Sequence, residues 1–230
     1  MPGVEDVDEF SFNQCPVLVD VECGKLERVG YGAFERCASL NSMHLPLVRA
    51  VEQYAFGYCP LLKSVRFGSS LETMREGAFA VCPSLERIAV PLKQKLAMDA
   101  TVFRGCTQLT HVDFIEETVL QETIDTLLSR QWRSDIQNEV KSIHQILVDA
   151  PAGNPHFRNN SGEKAKVIRE WIKRVLGKII EYKVEHCCLV NVATELLLEQ
   201  HDLPLDVVMN KVLPFLELPL YTFDGEDCEK

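Results

Sequence analysis

Nine cysteines and six histidines are the side chains of this 230-residue sequence best suited to chemistry, as metal ligands, nucleophiles or disulfide partners. Five of the cysteines recur at Cys15, Cys37, Cys59, Cys82 and Cys106, at spacings of 22, 22, 23 and 24 residues. A zinc site needs four ligands converging on one point, usually with short Cys-x-x-Cys spacing. One cysteine per two dozen residues makes a line instead, so the five read as small buried hydrophobes filling a tight turn. His186-Cys187-Cys188 is the other grouping. Adjacent residues on a helix point in different directions, so no closed tetrahedral site follows. His44 and His111 would lie three strands apart in a stacked repeat, roughly 14 Å, too far to share a metal or a proton. No Ser-His-Asp or Cys-His arrangement and no phosphate loop is assigned, and the sequence is read as non-enzymatic, without catalytic residue, cofactor or metal.

The elements that carry the cysteine line repeat with it. Phe12, Phe34, Phe56, Phe79 and Phe103 each stand three residues before a cysteine, and five residues before those stand Val7, Val29, Val51, Met74 and Met98. Leu18, Leu40, Leu62, Leu85 and Leu109 follow the cysteines by three. Val21, Met43, Val65, Ile88 and Val112 come next, then Cys23, Leu45, Phe67, Val90 and Phe114. The alternation at the end of each unit predicts a short strand with one buried face, and the Ala-Phe-x-x-Cys part a compact turn whose phenylalanine plugs the core. One unit cannot bury its apolar face alone, and stacking makes a continuous core.

The pattern Val29-Gly-Tyr-Gly-Ala-Phe-Glu-Arg-Cys-Ala-Ser-Leu-Asn-Ser-Met, repeated as Met74-Arg-Glu-Gly-Ala-Phe-Ala-Val-Cys-Pro-Ser-Leu-Glu-Arg-Ile, resembles the BspA-type leucine-rich repeat. The resemblance covers about half the sequence. It implies a curved solenoid with a strand-lined concave face that binds other macromolecules, and no catalytic residues. The fold expected is α+β: a solenoid of five units of 22–24 residues over 1–115, then a helical hairpin or bundle over 116–230. Two units depart from the pattern. The first has Ser11 in the alanine slot; the fifth has Val102 there and a longer stretch, Pro91 to Ala100, before it.

Residues flanking the central apolar position of each strand should point away from the core. They are Asp20 and Glu22, Ser42 and His44, Ser64 and Arg66, Arg87 and Ala89, His111 and Asp113. The polar ones are the candidate partner-binding residues, in two columns whose charge runs from acidic through neutral to basic and then mixed. Such a stripe suits a peptide or folded protein better than a phosphate backbone. The convex face and the ends of the stack stand as alternatives.

The sequence holds 24 basic and 34 acidic residues, net −10, and acids outnumber bases on both sides of Ile115. Non-specific binding to nucleic acid or anionic membrane is disfavoured. No apolar run approaches the roughly 20 residues that span a bilayer, and Met1 to Glu9 lacks the features of a secretion signal. A cytoplasmic or nuclear setting with reduced thiols is expected. The partner expected is another protein.

After Phe114 the period becomes helical. One run, 116–148, is anchored by Ile136, Val140, Ile143 and Leu147, and a turn-rich loop follows at about 149–162. Asn160 with Glu163 then reads as a capping box opening a helix of about thirty residues, with Ile168, Trp171, Ile172, Val175, Leu176, Ile179, Tyr182 and His186 on one face. Antiparallel pairing, as a hairpin or coiled coil, is expected, with self-association through these helices as a possibility. Lys164, Lys166, Arg169, Lys173, Arg174, Lys178 and Lys183 on the second helix read either as a surface for an acidic partner or as a solvated face balanced by Glu170, Glu181 and Glu185. Pro204 opens a third helix, Leu205 to Leu213. Leu203 to Pro219 resembles the opening helix of an F-box, which implies a substrate-recognition subunit of an assembly such as a ubiquitin ligase as the alternative function.

Overall fold

The computed structural model describes residues 3–115, 117–127, 129–154 and 162–200. The expected third helix, the F-box-like segment and Asn160 lie outside the described residues.

Four of the five repeats contribute one strand to each of two parallel sheets, and the first contributes a strand to one sheet only. The five-stranded sheet holds β1 (Asp6–Val7), β2 (Arg28–Val29), β4 (Ala50–Val51), β6 (Thr73–Met74) and β8 (Ala97–Met98), in that order. The four-stranded sheet holds β3 (Ser42–Leu45), β5 (Ser64–Phe67), β7 (Arg87–Val90) and β9 (His111–Phe114). The register steps by one repeat, so Met43 pairs with Val65, Val65 with Ile88 and Ile88 with Val112. A solenoid of about five turns results, with helices after it.

The turns between the two sheets explain the rest of the repeat. Phe34, Phe56 and Phe79 stack face to face at 5.2 and 5.3 Å with rings 0° and 2° apart, and all three are fully buried. The cysteine thiols do more than fill space. Cys37, Cys59, Cys82 and Cys106 each donate to the carbonyl of the phenylalanine one unit back, Phe12, Phe34, Phe56 and Phe79, at 3.0–3.2 Å between sulfur and oxygen. A small side chain with a weak donor thus adds a hydrogen bond inside the stack that a purely apolar residue could not make. Burial pushes the Cys37 thiol up to about 11 and Cys106 up to about 12, and raises Cys82 as well.

Two left-handed backbone positions per turn were not visible as a motif. One lies two residues before the phenylalanine, at Phe10, Gly32, Tyr54 and Gly77; the other lies just before the cysteine, at Gln14, Arg36, Tyr58, Val81 and Gly105. Glycine is present only at some of them, so residue type does not mark them. At Gly77 a Cβ would sit 2.6 Å from the Tyr54 ring, so any side chain there would have to displace that ring.

The outer units depart from the pattern as their sequences suggest. In the first, the strand of the four-stranded sheet shrinks to a single bridge, Glu22 to His44, and Leu18 and Val21 are only half-buried. The fifth lacks the first left-handed residue, and Asp99 instead accepts the Thr101 amide and hydroxyl at 2.8 and 2.7 Å.

The helices are α1 (Glu117–Thr126), α2 (Arg130–Asp149) and α3 (Lys164–Gln200). The single run expected over 116–148 is divided. Ser129 accepts the Gln131 amide through its hydroxyl at 3.2 Å, an N-cap that starts a new helix. Glu163, expected inside the first turn of the long helix, stands just before α3. No described helix is long and apolar enough to cross a membrane.

Compactness partitions the chain differently from the repeat. One unit comprises Met1–Glu117 with Lys141–Lys173, the other Thr118–Val140 with Arg174–Lys230. In the first, Trp171 stacks on Phe114 at 4.5 Å, the Gly105 amide donates to the Ala152 carbonyl at 2.7 Å, and Arg169 donates to the Met98 carbonyl of β8. Lys164 is buried and donates to the carbonyls of Leu109 and Leu147 at 2.6 and 2.9 Å; burial holds its pKa below the usual lysine value. The last repeat and the end of α2 are therefore tied by one ammonium, placed where a cation favours a helix C-terminus.

In the second unit, Arg174 and Lys178 meet Glu139 at 2.8 and 3.5 Å. Tyr182 donates to Asp135 at 2.7 Å and stacks on Trp132 at 5.5 Å. Partners descend in number along α2 as they ascend along α3, so these stretches run antiparallel. Partial burial pushes the Glu139 carboxyl up, but the hydrogen bond and charge of Arg174, with those of Lys178, outweigh it and hold the group below its usual value. The Asp135 hydrogen bond, aided by burial, pushes Tyr182 up to about 12.

Candidate functional site

The outer face of the four-stranded sheet carries seven of the nine candidate residues, from Ser42 to Asp113, because strand side chains alternate, while Asp20 and Glu22 precede the sheet. In β3 and β5 the central apolar residues Met43 and Val65 are buried, while Ser42, His44 and Arg66 are exposed and Ser64 half-buried. The register sets Ser42, Ser64, Arg87 and His111 in one column and His44, Arg66, Ala89 and Asp113 in the other. The Glu22–His44 bridge extends the second column by one residue. Parallel pairing fixes these spacings, so the face is preorganised.

The nine candidates separate into two groups. Asp20, Glu22, Ser42, His44, Ser64 and Arg66 line one groove of about 630 Å³, together with Val21, Met43, Cys23 and Gly24. Acid at one end and Arg66 at the other give the groove a charge gradient. Asp20 turns one carboxylate oxygen to the amide of Val21 at 2.8 Å. Arg87, His111 and Asp113 stand apart from this groove. Arg87 pairs with Asp113 at 2.9 Å, and the His111 ring lies 5.1 Å from that of His144 on α2. The Thr110 hydroxyl lies 2.9 Å from Nδ1 of His111. Ala89, expected to point outward with these residues, is 6% exposed. A methyl group is too short to rise to the level of Arg66 and Asp113 on either side of it in the register.

Sequence reading missed His144, because nothing in a helical period says which strand a helix residue will meet. His186 is buried, whereas Cys187 and Cys188 are exposed, and all eight described cysteines are free thiols. Among the described residues no group of three or more His, Cys, Asp or Glu side chains is placed to hold a metal ion.

The sequence matches the model of the BspA type leucine rich repeat region, in six copies over residues 5–126. No curated protein matches it. Among solved structures it is similar to a leucine rich repeat protein of T. pallidum, at 23% identity over 49% of this chain and 65% of that one, with a TM-score of 0.42. It is similar to a leucine rich cell surface protein of Faecalibacterium prausnitzii at 22% identity, over 41% of this chain and 31% of that one, TM-score 0.31. A leucine-rich repeat protein of Bacteroides ovatus is 17% identical over 48% of this chain and 43% of that one, TM-score 0.32. The chain spans less than two thirds of each of these proteins. With the family match reaching across more than half of its residues, and with stacked parallel strands in the register that the repeat requires, the chain belongs to the BspA type leucine-rich repeat family.

Proposed function

We propose that this protein is a non-enzymatic interaction module that binds another protein on the outer face of its four-stranded sheet. The observation that carries this reading is the groove from Asp20 to Arg66, a preformed concavity on a strand-fixed surface with an acidic and a basic end. Preorganised side chains lose little freedom on binding, and a charge gradient imposes one orientation on a partner. Mixed sign favours a protein over a uniformly anionic polymer.

The test is affinity capture from native cells with the whole chain as bait, followed by mass spectrometry, against the variant Arg66→Glu with Arg87→Glu. Partners seated on the face should be lost from the variant, while its circular dichroism stays unchanged. Recovery of every partner by the folded variant would overturn the reading.

A further inference from the structure

A second concavity of about 630 Å³ opens beside the five-stranded sheet, away from the groove just described and sharing no residue with it. Part of its lining comes from the longest spacing of the repeat, the 24 residues from Cys82 to Cys106. The longer stretch before the fifth unit turns at Pro91 and Lys93, where the Lys93 amide donates to the Pro91 carbonyl at 3.1 Å, and it carries Lys93-Gln94-Lys95 as a lip. The first turns of α3 supply Arg169 and Lys173, and Arg75 follows β6.

Five cations therefore line a groove in a chain of net charge −10. Its two carboxylates, Glu76 and Asp99, are already engaged. Asp99 accepts from Thr101, and Glu76 receives the Tyr54 hydroxyl at 3.4 Å. Arg75 pairs with Glu52 at 3.1 Å, and Arg169 is held by the Met98 carbonyl. Among the described residues Lys93 and Lys173 form no ion pair. Beneath this rim, Met74, Leu96, Met98 and Ile172 are buried and apolar.

We infer that this groove binds a short acidic peptide segment in which carboxylates alternate with apolar side chains. An extended peptide places successive side chains on opposite faces, so one set reaches the apolar floor while the other meets Lys93, Lys173 and their neighbours. A cationic rim on a low-dielectric floor focuses attraction locally. The acidic remainder of the surface repels any polyanion long enough to run past the groove, which disfavours a nucleic-acid strand. Five basic residues of α3 thus separate by what they meet. Lys164, Arg169, Arg174 and Lys178 are used within the fold, and Lys173 faces a ligand.

The experiment is fluorescence anisotropy on the whole chain with a labelled peptide of about ten residues alternating Glu and Leu, enough to cross the groove at roughly 3.3 Å per residue. The comparison probes are the same peptide with Gln for Glu and an oligo-dT of about twenty nucleotides. Expected are saturable binding of the acidic peptide, at least about tenfold weaker binding of the Gln form, and at least about tenfold loss of acidic-peptide affinity in Lys93→Glu with Lys173→Glu. Lys93→Gln with Lys173→Gln, which removes charge without reversing it, should lose affinity in the same direction and guards against a folding defect. Arg66→Glu with Arg87→Glu should leave peptide affinity unchanged, which separates this site from the face proposed above. No binding of the acidic peptide, equal binding of the Gln form, equal affinity in the folded Lys93 and Lys173 variants, or tighter binding of oligo-dT would each overturn the inference.

Discussion

The interior of the solenoid and its junction with 141–173 are both buried, yet they are stabilised on different principles. In the interior every contact is made several times: ring on ring, thiol on carbonyl, valine on valine, each with a copy one unit away. At the junction each contact is made once: Trp171 on Phe114, Lys164 between two carbonyls, Arg169 on the edge strand β8. Repetition writes a contact into the sequence as a period. A contact made once leaves no such trace, although it closes an open end of the stack and covers an unpaired strand edge.

That contrast can be broken first by deleting a ring. Phe56→Ala removes a side chain stacked on both sides and should cost at the upper end of roughly 3–5 kcal/mol, whereas Trp171→Ala, with one stacking partner, should fall at the lower end. Urea unfolding of both variants checks the order, and a larger loss at Trp171 would mean that the junction holds the stack together.

Lys164→Met comes next. It keeps the length of the side chain but leaves the Leu109 and Leu147 carbonyls without their donor, and about 1–3 kcal/mol should be lost. The desolvation that lowers the lysine pKa limits the effect, and a variant as stable as the wild type would show that desolvation cancels the two hydrogen bonds.

The last test is a pH dependence, which shows only above pH 9. Cys106 is raised from the ordinary 9.0 to about 12, so the folded state holds its proton more tightly than the unfolded chain. Its contribution is fully present below pH 9 and is lost as pH rises through about 12. Denaturation midpoints should therefore fall between pH 9 and 12, less so in Cys106→Ala. In the same window iodoacetamide should modify the exposed Cys187 and Cys188 while Cys59, Cys82 and Cys106 remain unmodified. Early modification of Cys82 or Cys106 would show that the interior opens more readily than the repeat contacts imply.

The two candidate surfaces differ in the same way. The exposure of the column residues from Ser42 to Asp113 was readable because each sits at a fixed offset in a repeat, and the strand alternation then dictates which face it takes. Ala89 escaped that logic, since exposure also depends on the height of the neighbours. The groove at Lys93 and Lys173 was not readable. Its sequence trace was only an irregular spacing and a run of basic residues on a helix, and nothing in either says that they meet.

By itself, the sequence determined the solenoid, its register and the buried role of four of the five repeat cysteines (Cys15, in the first unit, is half-buried), because a local unit that must stack on a copy of itself carries its own partner's address. Only the tertiary structure decided which backbone positions turn left-handed, where the first long helical run divides, and that Lys164 is buried while Lys173 lines a groove. Those outcomes depend on contacts across dozens of residues, such as Lys164 with Leu109, and non-periodic contacts at that separation are set by the shape of the folded chain.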